Sequence, residues 1–140
     1  MNIPELLTDL TTHYNALIRN AASQLSLTAS QAFHLLSIPH DGIPMSQLAH
    51  KLGLDTNTLT RNIQKLEKME LIKRNRDSYD KRIQKAVLTE KGEEKVELLE
   101  ESLQDINHII MEQIDLDSQE NITDILEKIV WAMDCIREKL

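Results

Sequence analysis

The chain has 140 residues and a formal net charge of −7, with 16 Lys+Arg against 23 Asp+Glu. Its length suits one domain or one compact subunit. A hydrophobic share of 41% is enough for a core, but aromatics make up only 3%, so burial must come from Leu, Ile, Val, Met and Ala. The N-terminus MNIPELLTDL lacks the basic region and long apolar run of a secretory signal, and no stretch approaches the ~20 apolar residues of a membrane span. The single cysteine, Cys135, excludes an internal disulfide, so a cytoplasmic location is expected.

Residues 4–24 read as a first helix, with Pro4 suited to its first turn and Leu6, Leu7, Leu10, Tyr14, Leu17 and Ile18 forming a broad apolar stripe. Thr28 and Gln31 then offer a capping box for a second helix carrying Phe33, Leu35 and Leu36, which ends near Pro39. Asp41-Gly42 turns the chain, and Ile43 supplies a short strand.

The segment from Met45 to Gly92 organises the rest. Leu48, Ala49 and Leu52 repeat at helical spacing and stop at Gly53, where positive φ carries no steric cost. Asp55 or Thr56 caps a second helix whose Leu59, Ile63 and Leu66 make one narrow apolar stripe. The opposite face holds Asn57, Arg61, Gln64, Lys65 and Lys68, joined by Thr58 and Thr60 near the start. Leu71-Ile72 opens a strand and Ala86-Val87-Leu88 closes its partner, around a polar tip from Arg76 to Arg82. Helix, turn, basic helix and basic hairpin in that order predict a winged helix-turn-helix. The fold class is therefore mainly α with a small β-hairpin wing.

Charge is distributed to match. Residues 45–92 hold 11 Lys+Arg and 6 Asp+Glu, net +5, whereas the remaining 92 residues hold 5 and 17, net −12. A cationic module on an acidic body is equipped to approach phosphate. Beyond it, Thr89 caps a long helix to about Ile114, with Val96, Leu99, Leu103, Ile106 and Ile110 spaced three and four apart. Asp117 with Glu120 predicts another capping box, for a last helix whose seam is Ile122, Leu126, Ile129, Met133, Ile136 and Leu140. These terminal stripes need cover, from a second copy of the chain or from the module itself.

The pattern Leu27-Thr28-x-x-Gln31, Leu48-Ala49, Thr58-x-Thr60-Arg61, Leu66-Glu67, Asp77-x-x-Asp80-Lys81-Arg82 and Leu88-Thr89-x-x-Gly92 resembles the MarR family of transcriptional regulators. Three positions depart from the family pattern: Glu70 stands where a glycine usually ends the recognition helix, Ser78 replaces a wing proline, and Lys81 replaces an arginine. The resemblance implies a homodimer formed by N- and C-terminal helices, which assigns residues 1–26 and 93–140 to dimerisation and 27–92 to DNA binding. Leu6, Leu7, Leu10, Ile122, Leu126, Ile129, Met133 and Ile136 are then the interface candidates. It also implies that Arg82 enters a minor groove and that a small lipophilic or phenolic ligand binds near His13, Tyr14, Phe33 and His34.

On chemistry, Asn57, Thr58, Thr60, Arg61 and Gln64 are candidates for base edges, since Arg can be bidentate to guanine and Gln to adenine. Lys65, Lys81 and Lys85 suit phosphate, as do Ser46 and Thr56 at helix starts, while Asp80 is placed to brace an arginine. Catalytic readings fail: the five histidines lack metal-ligand spacing, Cys135 lies in an apolar helix, and neither a phosphate loop nor a nucleophile elbow is present. No cofactor or metal is implied. The expected function is a dimeric, sequence-specific regulator of transcription on a pseudo-palindromic operator, acting as a repressor. The alternative is a winged-helix protein-interaction module that docks an acidic partner.

Overall fold

A computed structural model describes residues 1–140. In chain order the elements are α1 (Ile3–Ser23), α2 (Ala29–Leu36), β1 (Ile43–Pro44), α3 (Met45–Leu52), α4 (Thr56–Lys68), β2 (Ile72–Arg76), β3 (Gln84–Leu88), α5 (Glu90–Glu112) and α6 (Leu116–Glu138). The chain forms two compact units, 1–103 and 104–140.

Caps set most boundaries. The Asn2 side chain accepts from Glu5 N–H at 3.0 Å and the Glu5 carboxylate accepts from Asn2 N–H at 3.3 Å, a reciprocal box that starts α1. Thr28 and Gln31 form the box expected for α2. Gly53 takes a left-handed conformation at φ 69° and ends α3. Asp55 is the residue that caps α4, accepting from Thr58 N–H at 2.7 Å. At the far end of α4 the left-handed position is filled by Glu70 at φ 62°. Leu71 N–H reaches back to Leu66 carbonyl at 3.0 Å, which closes the helix although no glycine is present.

The sheet has the order β1-β3-β2 and is antiparallel throughout. Ile72 pairs with Leu88 and Arg76 with Gln84 along the hairpin, and Ile43 pairs with Ala86, so the short third strand forms as expected. Beneath it the α4 stripe Leu59, Ile63 and Leu66 is fully buried, together with Ile18, Leu35, Leu48, Leu71 and Leu99.

The junction after the wing is tight. Leu71 carbonyl accepts from Thr89 N–H at 3.0 Å, the Thr89 hydroxyl donates to Glu70 carbonyl at 2.6 Å, and the same hydroxyl accepts from Gly92 N–H at 3.0 Å. A methyl group on Gly92 would strike Leu71 carbonyl. Glycine is required there for space rather than for its backbone freedom.

In the second unit the expected cap needs correction. Asp115, not Asp117, caps α6, accepting from Ser118 N–H at 2.9 Å with extended backbone at φ −65°, ψ 155°. Because helix has already begun at Leu116, Asp117 sits inside the first turn, where its charge suits the helix dipole. Gln119 instead donates back to the carbonyls of Met111 and Ile114 at 2.9 and 2.7 Å. It thereby satisfies groups freed where α5 stops at Glu112, two residues before the expected end. No residue of α6 is buried.

Replacing Glu70 by glycine removes the left-handed steric cost and is expected to raise stability by about 1 kcal/mol. The change should be read as a higher urea midpoint with unchanged slope. Gly92→Ala is expected to lower stability by about 2 kcal/mol in the same assay.

Candidate nucleic-acid interface

The exposed face of α4 presents Thr56, Asn57, Arg61, Gln64, Lys65 and Lys68 to solvent. Arg61, Asn62, Gln64, Lys65 and Lys68 line an open groove of about 400 Å³. The two threonines are less free than their positions suggest. Thr58 donates its hydroxyl to Asp55 at 3.0 Å, and Thr60 donates to Thr56 carbonyl at 2.8 Å. Their hydroxyl hydrogens are committed to the helix, which leaves lone pairs as their remaining capacity. Arg61 lies 3.4 Å from the Thr58 hydroxyl and is otherwise directed outward.

The two helix starts differ as anion sites. Ser46 is exposed in the first turn of α3, whose N-cap, Pro44, supplies no side-chain hydrogen bond to the first N–H groups. The start of α4 is already occupied by the Asp55 carboxylate, held below the usual carboxylate range by the backbone N–H and hydroxyl of Thr58. A phosphate therefore meets a favourable field at Ser46 and an anion beside Thr56.

In the wing, Arg82 grips Asp80 with two parallel bonds, Nε to Oδ1 at 3.0 Å and Nη2 to Oδ2 at 2.9 Å. The bonds from Arg82 hold the Asp80 carboxyl below its ordinary pKa, and the carboxylate raises the guanidinium further. Asp80 thus braces the wing arginine as expected and leaves three of its five N–H groups for an outside acceptor. Asp77 shapes the tip by accepting from the N–H groups of Tyr79 and Asp80 at 3.0 and 2.9 Å. Lys85 lies 3.9 Å from Asp77 with its side chain only 23% exposed, so part of its charge is held within the wing. Lys81 is exposed.

Two contacts lock the head that sequence patterns did not disclose. Arg74 on β2 pairs with Glu67 on α4 at 2.9 Å, fixing wing to recognition helix. His34 on α2, buried, stands between Ser30 carbonyl at 2.7 Å from Nδ1 and Asn62 Nδ2 at 3.1 Å from Nε2. A carbonyl only accepts, so Nδ1 carries the proton and Nε2 is a bare acceptor for the Asn62 amide. The imidazole is neutral, and burial pushes its pKa below 6.5 despite the opposing Ser30 bond. Asn62 sits on the flank of α4, at the edge of the groove it helps to line rather than on the apolar stripe. That intermediate position was the only signal for it in the sequence.

His34 and Phe33 also line an open cleft of about 630 Å³ with Arg19, Lys51, Leu52 and Leu54. His13 and Tyr14, exposed on α1, are not in that lining. The structure thus brings together two of the four residues expected near a ligand, and adds two cations.

A family model described as MarR family matches residues 27–84. Over nearly its full length the fold is similar to solved structures of that kind. A MarR protein from Peptoclostridium difficile gives a TM-score of 0.84 at 26% identity, covering 99% of this chain and 92% of that one. A MarR transcriptional regulator from Methanosarcina mazei Go1 gives 0.82 at 24% identity, covering 96% and 97%. S. aureus MepR, solved in complex with DNA, gives 0.75 at 20% identity, covering 94% and 98%. A comparison with curated proteins gives no match.

The neutral His34 has a measurable signature. Because its folded pKa is depressed, the unfolded chain takes up the proton first as pH falls. The stability of the wild type relative to His34→Gln is expected to be greatest above about pH 6.5 and to decline as pH drops below it, in urea titrations repeated across pH.

Proposed function

We propose that this chain, whose residues 27–84 match a family model described as MarR family, is a sequence-specific, double-stranded-DNA-binding repressor of transcription. It acts as a homodimer on a pseudo-palindromic operator. The observation that carries this role is the cationic outer face of α4 locked to a wing whose Arg82 is already held in a bidentate grip by Asp80. Such preorganisation reduces what must be ordered on binding. Arg61 and Gln64, with Asn57, meet base edges in the major groove. Lys65, Lys68, Lys81 and the α3 start at Ser46 meet phosphate, and Arg82 enters the adjoining minor groove.

A second copy of the chain is supported by the apolar surface left open. Leu6 and Leu10 on α1 are 50% and 58% exposed, and Leu126, Met133 and Ile136 on α6 are 46%, 42% and 60% exposed. Leu7, Ile122 and Ile129 lie half-buried in the same seams. Two heads related by a two-fold axis would meet half-sites ~34–36 Å apart. Release by a small lipophilic or phenolic ligand is supported by the cleft beside His34, where Phe33, Leu52 and Leu54 offer apolar walls and Arg19 and Lys51 offer charge. A ligand there would touch the residue that positions Asn62 on α4.

Selection of bound duplexes from a random pool at moderate salt tests this role. The expected product is a palindrome with half-sites about one helical turn apart. Arg61→Ala should then lose about 1–3 kcal/mol at one base position and relax the preference there. Arg82→Ala should weaken binding most at flanking A·T-rich positions. Failure to enrich any sequence, with affinity at the ~10⁻⁴–10⁻⁶ M non-specific level, would overturn it in favour of docking to an acidic protein.

A further inference from the structure

Tyr79, at the apex of the wing, is 99% exposed, and its ring has no role in the core or in any ion pair of the wing. An aromatic ring in water at a loop tip usually reflects disorder, but this tip is closed on itself. Asp77 Oδ2 accepts from Tyr79 N–H at 3.0 Å and from Asp80 N–H at 2.9 Å. Asp77 N–H donates to Ile83 carbonyl at 2.9 Å, and Ile83 N–H donates to Asp80 carbonyl at 3.0 Å. Arg76 reaches Lys81 carbonyl at 3.4 Å. The backbone that carries Tyr79 is therefore held from both strands while the ring stands free.

Its neighbours determine what it can meet. Lys81 and Arg82 follow it within three residues and are both exposed, and Arg82 is oriented by Asp80. A surface that complements an apolar ring set among cations must alternate apolar faces with negative charge. The wall of a DNA minor groove does so, because deoxyribose faces lie between phosphates. On the premise of the DNA-binding role above, we infer that Tyr79 is a further DNA-contacting residue. Its ring packs on the sugars of the minor groove outside each half-site and places Arg82 at the groove floor. The ring supplies contact area at low entropic cost, having few rotatable bonds on a fixed backbone. It adds no charge, so it strengthens binding without adding to the counterions released.

The test uses the duplex that the full-length wild-type chain selects from a random pool, and the same duplex trimmed to its two half-sites. On the full duplex Tyr79→Ala is expected to bind roughly tenfold more weakly and Tyr79→Phe within about twofold of wild type. The slope of affinity against salt should stay unchanged for both, whereas Arg82→Ala should lower it by about one ion. The Tyr79→Ala deficit should vanish on the trimmed duplex. Wild-type affinity for Tyr79→Ala on the full duplex, alongside weakened Arg82→Ala, would overturn the inference and leave the DNA-binding role intact. A deficit that persists on the trimmed duplex would overturn it too, since Tyr79 would then act through the wing's own shape. Failure of the wild type to select any duplex would overturn both.

Discussion

The carbonyl of Leu71 is the point on which the first unit turns. It lies where the recognition helix has just ended and the wing has just begun, and it accepts from Thr89 N–H at the foot of the returning strand. Against the same carbonyl lies Gly92, in a gap that a methyl group would close. Glu70 and Met69 carbonyls beside it are taken by the Thr89 hydroxyl and by Lys91. Three consecutive carbonyls freed at the end of α4 are thus satisfied by the first residues of α5 and the one before it. The angle between recognition helix and wing is set there, and the Glu67–Arg74 pair holds it from the other side. With α4 and the hairpin fixed as one body, the outer face of α4 and the tip of the wing keep a constant separation.

The interface separates polar groups that work inward from those that work outward. Asp55, Asp77 and Asp80 each sit among cations, yet each is spent on a local hydrogen bond: a helix start, a loop tip and an arginine grip. The negative charges within the positive module therefore act as shaping elements. Arg61, Gln64, Lys65, Lys68 and Lys81 present their charge or amide to solvent. His34 links these two populations, because its bare Nε2 fixes the Asn62 amide beside the outward row.

Much of this was legible in the sequence where one residue type has one physical reason to be present. Gly53 after a helical stripe, the Thr28–Gln31 box, and Leu59, Ile63 and Leu66 at helical spacing all have local causes, and the structure places them as expected. The wing brace was legible in part, since Asp80 was expected to hold an arginine and the structure makes that arginine Arg82, two residues on. What escaped depends on elements that meet only after folding. His34 and Asn62 are 28 residues apart, and neither residue type signals a partner. Arg74 and Glu67 are likewise joined only once α4 and β2 pack together. At α6 the error was local: the box-like spacing of Asp117 and Glu120 pointed to Asp117, and the residue that caps the helix, Asp115, stands two residues earlier. Gln119, one residue on from the bonded Ser118, turns back to the carbonyls at the end of α5.

Helix α6 carries Ile125, Leu126, Val130, Trp131, Met133 and Ile136 with none of them buried. A helix gains most of its stability in a protein from packing one face, and little from propensity alone. Within the chain α6 half-buries only Gln119, Ile122, Ile129, Cys135 and Arg137, so much of its stability depends on what covers the rest of its apolar face. Under the proposed homodimer that cover is a second copy of the chain, and mass action couples the order of the helix to the concentration of the chain.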